Sequence, residues 1–144
     1  MANSIQYAKT QATPITKLDT NELGGRVRMA FAEYEAATEQ STITMFSLPN
    51  GARLLSGAVS HDALNSSTTL SVGYAAHTKA DGTAQALDVD EYKAAAASTS
   101  ATSSDVLVTM ALGKNSVLDA NEDGVPITVT LAGADGAGTI QLQM

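Results

Sequence analysis

The segment spanning residues 41–74 restricts the fold more than any other part of this chain. It reads S-T-I-T-M-F-S-L-P-N-G-A-R-L-L-S-G-A-V-S, and after a short polar break S-S-T-T-L-S-V-G-Y. Thr42, Thr44 and Phe46 alternate with Ile43, Met45 and Ser47, the period of a pleated, half-buried strand rich in β-branched and aromatic residues. Pro49 has no N–H to give to a ladder, so the first run ends there. Asn50-Gly51 tolerates the positive φ of a tight turn. Beyond it, Leu54, Ser56 and Ala58 alternate with Leu55, Gly57 and Val59. In the third run Leu70, Val72 and Tyr74 share one face and Thr69, Ser71 and Gly73 the other. Short alternating runs separated by turn residues predict an antiparallel sheet system.

Composition narrows the class. The 144 residues fit one domain with its own core, and 44% are hydrophobic, an ordinary globular share. Aromatics are 4% and Trp is absent, so the core is built from Leu, Val, Ile, Met and Ala. Small core residues make association with further copies an economical source of stability. The net charge of −7, with 8 Lys and Arg in total, argues against a nucleic-acid or anionic-membrane footprint. With no cysteine there are no disulfides, thiolate metal sites or thiol nucleophiles. The first ten residues lack the apolar core of a secretory signal, and no run approaches the roughly 20 apolar residues of a membrane span.

Taken in order, residues 1–23 form an N-terminal arm, polar and extended in character, with Ile5, Tyr7, Ile15 and Leu18 as candidate anchors. Either it is a disordered tail or it orders on a neighbouring subunit. Gly24-Gly25 opens a single β-domain over 24–144. Strands are expected at 26–35, with Val27, Met29 and Phe31 inward, and at 41–47, 52–60 and 67–76. D-V-D-E-Y-K-A-A-A-A combines N-capping aspartates with the best helix former and predicts one short helix at 89–97. A Ser/Thr-rich loop follows. Further strands are expected at 105–112 and 124–132, then a G-A-D-G-A-G turn and a closing strand at 139–144. About seven strands and one helix make a sandwich or barrel.

Chemistry-bearing motifs are sparse. Asp119, Asn121 and Asp123, with Gly124 sixth in the series, match the opening of a calcium loop. The match then departs: the twelfth position is Thr130 and a β-pattern replaces the exit helix. The segment is read as an acidic turn that is at most a weak metal site. His61-Asp62 are strand neighbours whose side chains point apart, and His77 stands alone near a turn; both histidines are read as surface or loop residues. Glu33 and Glu35 share one strand face at i, i+2; paired carboxylates can do glycosidic chemistry, but a sugar cleft is richer in aromatics, so the pair is read as a solvated face. G-A-D-G-A-G precedes a strand, so it is a hairpin turn and not a phosphate loop. Val106, Val108, Met110 and Leu112 form an apolar stripe read as core. Arg26, Arg28 and Arg53 are the chain's arginines, read as exposed residues able to meet an acidic neighbour.

The order of the motifs carries a resemblance. G-R-V-R-M-A-F-A-E-Y-E-A, then S-L-P-N-G-A-R-L-L-S-G, then S-T-T-L-S-V-G-Y, then E-Y-K-A-A-A-A and two terminal strands resemble small virion structural proteins of tailed phages. The likeness is to capsid decoration (cement) proteins with a jelly-roll or related β-sandwich. Leu48, Pro49, Gly51, Ala52, Arg53, Leu70, Ser71, Val72 and Gly73 carry it, and it extends over residues 24–144. The resemblance implies a non-enzymatic protein on the outer surface of the capsid, without cofactor, clamping neighbouring capsomers. Its partners would be the major capsid protein and copies of itself, a trimer favoured and a dimer possible. Another virion part (tail, neck or head-fibre base) and a carbohydrate-binding β-domain are the alternatives.

Overall fold

A chain that alternates apolar and polar residues gains most by pairing its backbone groups with a neighbouring strand and turning one face inward. This chain does so repeatedly. The computed structural model describes residues 4–14, 16–18, 20, 23–39 and 41–144. Among them are a short helix, α1 (Ile5–Gln11), and ten strands: β1 (Phe31–Glu39), β2 (Thr42–Leu48), β3 (Gly57–His61), β4 (Thr69–Tyr74), β5 (His77–Thr78), β6 (Ala84–Gln85), β7 (Asp88–Ala97), β8 (Thr102–Val106), β9 (Val125–Ala132) and β10 (Gly136–Gln143).

Eight of the strands form two four-stranded antiparallel sheets, ordered β1-β10-β3-β8 and β2-β9-β4-β7, while β5 and β6 form a separate hairpin. Consecutive strands β1 and β2 lie in different sheets, as do β3 and β4, β7 and β8, and β9 and β10. This alternation is the winding of a jelly roll, two Greek keys folded into a sandwich. The register places Leu70 opposite Leu131 and Val72 opposite Val129 in one sheet, and Ile140 opposite His61 and Leu142 opposite Val59 in the other. Leu70, Val72, Ile127, Val129 and Leu131 from the one sheet and Val59, Ile140 and Leu142 from the other are buried and form one core. Each such side chain contributes about 1.5–3 kcal/mol on burial.

Gly73 shows why a strand tolerates glycine here. A Cβ at this position would collide with the Asp88 carbonyl and the Val89 backbone, so β7 crosses β4 closely only because the side chain is missing. Gly124, at φ 78°, is followed by β9, and a Cβ there would run into the Leu48 carbonyl.

Several expectations are corrected. The helix expected at 89–97 is strand β7, paired with β4 through Thr69–Ala97, Leu70–Ala96 and Val72–Lys93. A free helix of this length is marginal in water, whereas a strand satisfies the open edge of β4 and buries Tyr92. The strand expected at 26–35 begins at Phe31 instead. Val27, Met29 and Phe31 are exposed by 82%, 72% and 56%, so the alternation there points outward and not into the core. The strand expected at 52–60 divides: Leu54 N–H bonds to the Ser116 carbonyl and Leu118 N–H to that of Ala52, both at 2.9 Å, before β3 starts at Gly57. The strand expected at 105–112 ends at Val106, because Leu107 takes φ 58° and its N–H turns to the Tyr92 carbonyl. Val108 and Met110 are therefore exposed, not core, and residues 110–112 form a 3₁₀ turn. Half of the glycine-rich turn at 133–138 is already strand β10. In the arm, α1 is capped by Ser4, whose hydroxyl accepts from Tyr7 N–H at 3.1 Å, and it buries none of its residues. Of the anchors expected there, Ile15 lies outside the described residues.

Candidate functional site

The acid–base candidates do not assemble into a catalytic group. His61 is buried on β3, contrary to the surface position expected, because its partner in the ladder, Ile140, is a core residue of β10. Its Nδ1–H donates to the Asp62 carbonyl at 2.7 Å. The Asp62 carboxylate instead accepts from Thr139 N–H at 3.0 Å and ties the loop after β3 to β10. His77, half-buried on β5, donates to the Ala75 carbonyl at 3.1 Å and meets Tyr74 edge-on at 5.3 Å between ring centroids. Glu33 and Glu35 are exposed on β1. They accept from Gln141 Nε2 at 2.6 Å and Thr139 Oγ1 at 2.7 Å, so each is paired across the ladder to β10.

The Asp119–Gly124 turn uses its side chains on its own backbone and on a neighbouring loop. Asp119 accepts from Ala80 N–H at 3.1 Å. Asn121 Oδ1 accepts from Asp123 N–H, and Asn121 Nδ2 donates to the Asp123 carboxylate, both at 3.0 Å. This is an Asx-type turn. Among the described residues no group of three or more His, Cys, Asp or Glu side chains is placed to hold a metal ion.

What the fold does bring together is a surface that the linear reading separated. The extended segment 23–30, residues 47–49 and 51–58, and Met144 enclose an open groove of about 940 Å³. Val27, Met29, Leu48, Leu55 and Met144 supply its apolar lining, and all three arginines, Arg26, Arg28 and Arg53, lie around it with Asp105. Arg53 donates through Nη1 to the Asn115 carbonyl at 2.6 Å and so is fixed against the 115–118 loop. Ala30 and Met144 exchange backbone hydrogen bonds of 2.8 and 3.0 Å, which hold the segment where it enters β1. The signal in the sequence was R-V-R-M: charged and apolar residues alternate as in a strand, but the apolar side is exposed.

A second charged surface lies at the start of β7. Asp88, Asp90 and Glu91 follow Leu87, a leucine 59% exposed. Burial, and then the charges of Asp88 and Asp90, push the Glu91 carboxyl above its usual range. Glu91 and Asp88 add to the burial that raises the Tyr74 and Tyr92 phenols.

Two solved structures share this fold. A chain in the capsid of Ralstonia phage GP4 aligns with a TM-score of 0.61 at 21% identity, over 83% of this chain and 82% of that one. A chain in the capsid asymmetric unit of cyanophage Pam1 aligns with a TM-score of 0.50 at 20% identity, over 81% of each. No protein-family model and no curated protein matches the sequence. The likeness is one of fold.

Proposed function

We propose that this chain is a structural protein of a tailed-phage virion, a decoration or cement protein that binds the outer surface of the capsid and bridges neighbouring capsomers. The observation that carries this reading is the fold likeness to chains of two phage capsids, which extends over more than four-fifths of this chain and of each of theirs. The surface chemistry agrees with it. The groove and the start of β7 offer apolar and charged contact areas, and His61, His77, Asp62, Glu33 and Glu35 each make a local hydrogen bond. The function is adhesive and non-enzymatic.

On this reading residues 1–23 are an arm that docks on the capsid. Ile5 and Tyr7, exposed by 73% and 52%, are its apolar contacts. Attachment at many equivalent positions makes a weak single contact sufficient. The test is quantitative mass spectrometry of density-purified particles whose genome encodes this chain. A copy number within a small factor of that of the major capsid protein is expected. A chain missing from washed particles, or present in only a few copies, contradicts decoration.

A further inference from the structure

We propose that the arginine-lined groove receives the acidic start of β7 from a second copy of this chain, giving a head-to-tail contact between identical subunits. Two observations meet here. In a chain of net charge −7, all three arginines lie around one groove whose apolar residues Val27, Met29 and Leu55 are exposed by 82%, 72% and 46%. Elsewhere on the same chain an exposed leucine, Leu87, is followed within four residues by Asp88, Asp90 and Glu91. The first surface wants an apolar side chain flanked by carboxylates, and the second is one. Asp105 in the groove and Lys93 after Glu91 are the countercharges on each side, and neither reverses the sign of its surface. Burial first, and then the neighbouring charges of Asp88 and Asp90, raise the Glu91 carboxyl, and guanidinium groups would offset that crowding of negative charge.

Leu48, in the groove, pairs with Val125 at the start of β9, and Asp88 pairs with Tyr74, which is opposite Ile127 of the same strand. Leu48 and Asp88 therefore lie at one end of the β2-β9-β4-β7 sheet, on its two edge strands, three strand steps or about 14 Å apart, while the rest of the groove is built from segment 23–30 and from the ends of β3, β8 and β10 in the other sheet. A head-to-tail contact repeats from copy to copy, and it forms a ring where the rotation between copies closes and a filament where it does not.

The inference rests on the assembly reading above and names its self-contact. It is tested on the purified full chain without particles, so its failure leaves the particle analysis to be judged separately. Because the chain has no cysteine, Val27→Cys and Leu87→Cys each introduce one thiol at an exposed position. Light scattering in low salt is expected to show an oligomer that dissociates in high salt. Under mild oxidation the mixture of the two variants is expected to form disulfide dimers about tenfold faster than either variant alone. Arg28→Glu is expected to weaken association about tenfold, and Asp90→Arg supplied on the other copy to restore it. A monomer at all concentrations reached, an oligomer in which Val27→Cys links mainly to itself, or one indifferent to Arg28→Glu overturns the proposal.

Discussion

Thr128 is completely buried on the central strand β9, and its hydroxyl has no hydrogen-bond partner. An unpaired buried hydroxyl costs about 1–3 kcal/mol, so Thr128→Val, which keeps the shape, is expected to raise the melting temperature by about 3 °C per kcal/mol recovered. Tyr92 is expected to weaken the fold at alkaline pH. Burial first, then Glu91, Tyr74 and Asp88, raise its phenol far above the ordinary value of 10.0. Above that value the unfolded chain loses the proton while the native chain keeps it, so stability falls as pH rises beyond about 10. Tyr92→Phe is expected to flatten that fall in chemical denaturation series run at increasing pH; an unchanged slope would clear Tyr92 of the effect. For the Asp119, Asn121 and Asp123 turn, whose polar side-chain groups are engaged in local bonds, millimolar calcium is expected to leave the melting temperature unchanged. At this scale the sequence was informative about what each residue prefers and silent about burial. His61 looked like a surface residue because nothing nearby reveals that Ile140, a core residue of a strand near the C-terminus, is its neighbour.

At the scale of elements, β2, β4 and β9 were legible because their alternation and their turn residues agree with the tertiary structure. The element that misled is β7. Asp-Val-Asp-Glu-Tyr-Lys followed by four alanines has strong local helix signals, but propensity is a weak prior against a sheet edge that needs a partner. Residues 94–97 are exposed alanines in an edge strand, where a β-branched residue is preferred. Ala95→Thr is therefore expected to stabilise the protein by up to about 1 kcal/mol, read from denaturant midpoints; in a helix the same change would destabilise. The groove was missed for a related reason. Its residues come from segments about 25, 50 and 144 in the numbering, which only the closing of β10 onto β1 and β3 brings together.

For the whole molecule, eight short strands wound as a jelly roll around a core of Leu, Val and Ile give a body with little deep concavity, and the groove stands at its margin. Such a body is suited to being placed many times on a larger surface. The measurement that tests this most directly is immunogold electron microscopy of intact particles with antibody against this chain. The account predicts label spread over the whole head. Label restricted to the tail or to a single vertex, or no label on any particle, would contradict it.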